Sequence, residues 1–388
     1  MSGAFRVVLG SFGGSVRVMR LFARTSLPIA SFVVCASLAS LGCGKKPEPS
    51  TAAEAKGNQL DVYSLFPAGA IGMGKLDVTA LFHAGKTGEA LGHLLSSYSP
   101  LGPESGFSVE ANVDRLVCAS YQVETADVLC VAEGRFDEKK LDQAVTDLET
   151  HAKTDPSLAG KAPAVVRTPY AGRTLVTASN VGFTVLDGTH LLAGTENAMR
   201  RALDRIRDGA TPKRELGAAF EERVLASKSD LAVSYSLEGL TLGRLNFGIV
   251  KVRLLQGLRE VYGTGSFKKK FVDAGTTAVE KTTDPATESD VTLVAHLVYG
   301  DESKATASKD EAESLLGFGK LGASMGYTPR IAKQDVTAKG NETIVVLGFQ
   351  DTTLASWIEK APEQFGLPAP AARSRGATGP VPGADSAK

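Results

Sequence analysis

Apolar residues recur along this chain at two spacings, every second residue and every third or fourth, and stretches of the two kinds alternate. The first spacing marks half-buried strands, the second one-faced helices. Residues 114–123 and 127–136 alternate in the two-residue period of a hairpin, and strands are also expected at 70–76, 164–168, 173–179, 182–187 and 190–193. Helical spacing predicts a helix over 78–97, through Leu81, Leu91, Leu94 and Leu95, and another over 138–151, through Leu141, Val145 and Leu148. A third covers 196–207, with Met199, Leu203 and Ile206 on one face and Gly209 as its stop.

After Lys228 the order starts again. Strands are expected at 230–237, 276–281 and 290–299, a long helix at 240–262 and a helix at 309–321. A hairpin follows from 335–338 and 342–349, then a last helix at 351–360. Aligned on their acids, the helices beginning at Glu196 and Asp351 match Met199 with Leu354, Leu203 with Ile358 and Arg205 with Lys360. Leu76-Asp77 and Leu237-Glu238 match at the ends of two first strands. The expectation is α+β: two similar units, 60–225 and 226–366, with mixed or antiparallel sheets and an internal duplication.

The ends of the chain read differently. Residues 1–24 carry Arg6, Arg17, Arg20 and Arg24 and no acid, and 27–42 run without a charge up to Cys43. A basic stretch, an apolar stretch and small residues form an export signal, more compact if translation starts at Met19. Sixteen residues of helix span roughly 24 Å, short of the ~30 Å hydrocarbon core, so cleavage is favoured over an uncleaved anchor. Residues 44–59 are polar, with Pro47 and Pro49 and no large apolar side chain, which suits a flexible stalk. Residues 367–388 are a low-complexity tail, read as disordered.

Ser40-Leu41-Gly42-Cys43 resembles the lipobox of bacterial lipoproteins, with Leu one place later than is usual there. The resemblance covers only the leader, 1–42. It implies that Cys43 becomes the first residue and carries diacylglycerol and fatty acyl groups such as palmitate. With no Asp after Cys43, it also implies the outer membrane, facing the periplasm.

Composition narrows the function. With 43% apolar and 22% charged residues the chain is globular, not a multi-span membrane protein. Basic and acidic residues balance at 43 each; losing four arginines with the leader leaves a charge of −4, and no case for a nucleic-acid partner. Cys118 and Cys130 stand on the two arms of the 114–136 hairpin. A disulfide and two buried thiols are both open readings.

The histidines, His83, His93, His151, His190 and His296, show no metal-ligand spacing, so no metal and no cofactor is expected. Gly317–Gly322 match a dinucleotide fingerprint, but an acidic helix precedes them where a strand is needed. They are read as a helix end and a turn. Glu133 and Asp137 are the acids to inspect in a cleft. Arg244, Lys251, Arg253, Arg259, Lys268, Lys269 and Lys270, against Glu260 alone, form a basic segment. It reads as a packed helix with a solvated basic face, with contact to an anionic surface as the alternative.

The expectation is therefore a membrane-anchored envelope lipoprotein with a non-catalytic periplasmic body that binds or scaffolds an envelope protein or polymer. The alternative is a carrier or sensor of a lipid or other apolar ligand held between the two units.

Overall fold

The computed structural model describes residues 61–98, 107–122, 127–154, 164–207, 213–238, 253–267, 290–326 and 328–364. The leader, Cys43, the stalk, the strand expected at 276–281 and the tail at 367–388 lie outside the described residues. So do Arg244, Lys251, Lys268, Lys269 and Lys270.

The strands are β1 Gly72–Asp77, β2 Val113–Gln122, β3 Asp127–Gly134, β4 Val165–Tyr170, β5 Arg173–Ala178, β6 Val181–Val185 and β7 His190–Thr195, then β8 Leu231–Ser236, β9 Leu258–Phe267, β10 Val291–Tyr299, β11 Ile331–Lys339 and β12 Glu342–Phe349. The helices are α1 Val78–Phe82, α2 Lys86–Tyr98, α3 Val109–Asn112, α4 Glu138–Thr154, α5 Glu196–Arg207, α6 Glu302–Ser324 and α7 Asp351–Gln364. A short helical turn, Ala218–Phe220 continuing through Glu221–Leu225, precedes β8.

All twelve strands join one sheet, in the order β11-β12-β10-β9-β8-β1-β2-β3-β7-β6-β5-β4. Every neighbouring pair is antiparallel. The protein is α+β. Read outward from the central β1–β8 pair, one side runs β1, β2, β3, β7, β6 and the other β8, β9, β10, β12, β11. A helix follows the third strand on each side (α4, α6) and another follows the fourth (α5, α7). The β4–β5 hairpin is extra to the first side.

Local chemistry repeats with the order. Asp137 accepts the Lys140 N–H at 3.1 Å to start α4; Asp301 accepts the Lys304 N–H at 2.9 Å to start α6. Each aspartate also pairs with the ammonium group of that lysine. An Asp at this point satisfies an orphan donor and complements the helix dipole. Asp127 opens β3 and accepts the hydroxyl of Thr195, just before α5. Asp290 precedes β10 and accepts the N–H of Asp351, the first residue of α7, at 2.9 Å.

Side chains alternate across the sheet, so each strand feeds two layers. On one face Leu116, Cys118, Val128 and Cys130 pack under Leu141, Ala144 and Val145 of α4. On the other, Val117, Leu129, Val131 and Leu192 pack under Ala198, Met199, Ala202 and Leu203 of α5. Each fully buried Val, Leu or Met side chain among these contributes about 1.5–3 kcal/mol. Cys118 and Cys130 stand directly opposite in the β2–β3 register and are joined by a disulfide.

Three local expectations are corrected. The helix expected over 78–97 is two helices. The chain turns at Gly85, whose φ of +64° suits glycine and ends α1 before α2 begins. The long helix expected over 240–262 is not continuous: Leu258 opens β9, whose Val261 and Thr264 are strand formers and whose Gly263 and Gly265 disfavour helix. The glycines of the 317–322 stretch lie inside α6, which runs to Ser324.

Candidate binding face

One row of cross-strand partners shows how the two sides differ. It runs Gly194, Leu129, Ala119, Met73, Ser234, Tyr262, His296, Ile344, Thr337 across nine strands, and cross-strand partners share a face. On the first side this face is closed by α5, which packs on β3, β6 and β7. Leu129, Leu192 and Met199 are without solvent exposure there.

On the second side α7 does not repeat this packing. Its apolar residues Leu354, Ala355, Trp357 and Ile358 pack instead on Ala90, Leu91 and Leu94 of α2. The face of β9, β10 and β12 therefore has no helix on it among the described residues. Its side chains, Tyr262, Thr264, Thr292, Val294, His296, Ile344 and Val346, are half-buried.

The rim of this face carries a connected polar cluster. Arg223, from the helical turn before β8, stands 4.1 Å above the Tyr262 ring and forms an ion pair with Glu260. The Ser234 hydroxyl donates to Glu260 at 3.1 Å. Tyr262 stacks on His296 with ring centroids 4.3 Å apart and planes 8° from parallel. Glu342 accepts the Tyr262 hydroxyl at 3.2 Å and lies 3.2 Å from Nδ1 of His296. Burial, and then the negative charge of Glu342, hold the Tyr262 hydroxyl above its ordinary value of 10.

Beside the cluster lies an open cleft of ≈ 420 Å³, lined by Phe220, Ser236, Glu238, Arg259, Glu260 and Tyr299 among others. The face thus combines a small apolar centre, stacked planar groups and a polar rim with two carboxylates. Such a surface suits contact with a partner.

The residues expected from sequence fall elsewhere. Arg253 opens a short turn, Arg253–Leu255, and Arg259 lies in β9 and lines the cleft. The continuous basic helix that would have joined them is interrupted by β9. Glu133 pairs with Arg115 at 3.0 Å. Asp137 caps α4 and lines a smaller cleft of ≈ 260 Å³ with Phe107, Arg135 and Lys140. Among the described residues, no group of three or more His, Cys, Asp or Glu could hold a metal ion. No described helix is long and apolar enough to cross a membrane.

The Arg223–Tyr262–His296–Glu342 cluster escaped the sequence reading. Its trace is the alternation Glu260, Tyr262, Thr264, which a helical reading of that stretch conceals.

No protein-family model matches the chain, and no curated protein matches it. Among solved structures, crystal form III of TP0453 is similar at 11% identity and a TM-score of 0.43, covering 78% of this chain and 99% of that one. Crystal form IV is similar at 11% identity and a TM-score of 0.41, covering 78% and 97%.

Proposed function

We propose that this protein is an exported envelope lipoprotein, anchored through Cys43, whose body acts without catalysis by binding or scaffolding a partner. The observation that carries the reading is the uncharged run 27–42 ending at Cys43, ahead of a polar stalk and a folded body. The Cys118–Cys130 disulfide supports export, since such bonds persist in oxidising compartments. The half-buried face of β9, β10 and β12 is the binding surface of this reading. The anchor raises the local concentration of that face near one membrane, and the stalk sets its reach.

We also infer that the two sides of the sheet descend from one duplicated unit. The same strand order, the same helix placement and the paired caps Asp137/Asp301 and Asp127/Asp290 support it. In this reading α7 keeps the apolar face of its counterpart α5 but packs it on α2, which leaves its own side of the sheet without a helix among the described residues.

The test is intact mass of the membrane-fraction protein, with Cys43→Ala beside it. The expected chain begins at residue 43 and carries diacylglycerol with further acyl mass; the variant loses both the processing and the lipid. A chain cut elsewhere without lipid, or left uncut, would overturn the anchor.

A further inference from the structure

Helix α6 holds to the sheet by its first half. Ala305, Ser308 and Ala312 are buried, and the Ser308 hydroxyl lies 2.6 Å from that of Thr343 in β12. Beyond Ala312 the same line of the helix continues only half-buried, through Leu316, Gly319 and Ala323. A neighbouring line carries large apolar side chains into solvent: Leu315 is 39% exposed, Phe318 68%, Leu321 59% and Met325 63%. At helical spacing these four fall within an arc of about 120°, the width of an apolar stripe that normally faces a core. A Cβ built at Gly317 or Gly319 would meet no atom within 4 Å, so the space beside the stripe is open.

Charge narrows the occupant. From Ser314 to Gln334 the chain has no acid, while Lys320, Arg330 and Lys333 are present and exposed. Glu302, Asp310, Glu311 and Glu313 all lie in the packed first half of α6. The second half thus carries an apolar stripe with Lys320 on the face opposite to it and no acid, the pattern of an amphipathic helix that suits an anionic lipid surface. Area argues against a second copy of the chain as the occupant. A stable protein interface buries about 800 Å² per partner. Four partly exposed side chains on one helix fall well below that. A lipid interface needs no such matched area, because each inserted side chain gains on its own.

We propose that the second half of α6 lies on an anionic membrane surface, with Leu315, Phe318, Leu321 and Met325 inserted among the acyl chains and Lys320 at the headgroups. This deepens the envelope reading and rests on it for the membrane's being within reach. The contact itself is a property of the body and does not require the lipid on Cys43.

The experiment uses the full chain and a local reporter. The sole tryptophan is Trp357, so Trp357→Phe combined with Phe318→Trp puts a single indole in the stripe. Vesicles of phosphatidylglycerol and phosphatidylcholine, with and without brominated acyl chains, are added. The expected result is a blue shift of the emission, and quenching by the brominated lipid that weakens in high salt. A second variant, Leu321→Ser in the same background, should reduce both changes while the far-ultraviolet dichroism stays as it was. If the chain floats with the vesicles but the indole at 318 neither shifts nor is quenched, the α6 contact is wrong and the Cys43 anchor stands. A blue shift without vesicles that grows with protein concentration would assign the stripe to a second copy and would also overturn the proposal. Failure of the anchor is read separately, in the mass of the chain.

Discussion

Asp351 holds Thr87 across the molecule: its carboxylate accepts the Thr87 N–H at 2.6 Å, and its own carbonyl accepts the Thr87 hydroxyl at 3.2 Å. The same carboxylate takes the Lys86 N–H at 2.8 Å. A residue of α7 thereby caps the start of α2, 264 positions earlier in sequence, and is itself 3% exposed. The neighbouring Gly85 has no side chain to obstruct this approach; a Cβ there would come within 2.6 Å of the Asp351 carboxylate.

Asp351→Asn turns one acceptor into a donor facing backbone N–H groups. Loss of charged hydrogen bonds at a buried site should lower stability by about 2 kcal/mol in urea unfolding. Gly85→Ala should act on the same contact. In both variants hydrogen exchange should quicken in α2 before it does in the sheet. Equal protection of α2 in variant and parent would show that the cap does not hold the helix pair.

The Cys118–Cys130 bond closes a short loop between two buried strands. Cys118→Ala with Cys130→Ala should cost about 2–3 kcal/mol, through freedom returned to the unfolded chain. Non-reduced protein should weigh two hydrogens less than reduced protein. The stability loss should match the loss in the parent after reduction, and a parent insensitive to reductant would contradict this.

Tyr262 couples the open face to alkaline pH. Burial raises its hydroxyl first, and Glu342 adds to the shift. A folded-state value above the unfolded one stabilises the protein below about 10, and the contribution fades as pH rises through the folded value. Glu342→Gln should bring the tyrosinate transition part of the way back toward 10. An ultraviolet titration of the variant against the parent reads this directly, and coincident curves would refute it.

At the acid end, Asp301 is held at about 2 by the Ser303 hydroxyl, the Lys304 N–H and the Lys304 ammonium. Its folded value is depressed, so its contribution is present above the ordinary 3.8 and is lost as pH falls toward 2. Asp301→Ala should therefore be less stable than the parent near neutrality, and the gap should close between pH 4 and 2. A gap constant over that range would mean that the side chain acts through something other than its charge.

What the sequence made legible depended on how local each signal is. Helix α5 is bounded as its periodicity predicts, because Met199 and Leu203 meet a core directly beneath them. The expected last helix, 351–360, extends to Gln364, and the apolar residues that define it do not lie on the sheet that precedes it. Periodicity says that Leu354 and Ile358 share a face; it cannot say that the face is met by α2 rather than by β10 or β12. Strand β9 departs from the expected helix for a related reason. Val261, Gly263 and Gly265 form a strand because β8 and β10 flank them, and those partners stand far away in the chain. The candidate face inherits both difficulties. It lies where no described helix packs, and Tyr262, His296 and Glu342 meet only after three strands have paired.

The placement of β1 carries a mechanical consequence. Six strands lie to one side of it and five to the other. The described chain reaches it from Asp61 through the turn Val62–Leu65, which is clasped by Arg214 on Asp61 and by Arg205 on the Ser64 carbonyl. If the chain is tethered as proposed, a leash arriving at Asp61 would hold the body near the middle of the sheet's strand order rather than at an edge. The edges of the sheet, roughly 50 Å apart at ordinary strand spacing, would then swing about that pivot like the arms of a scale, so that tilting toward one edge lifts the other.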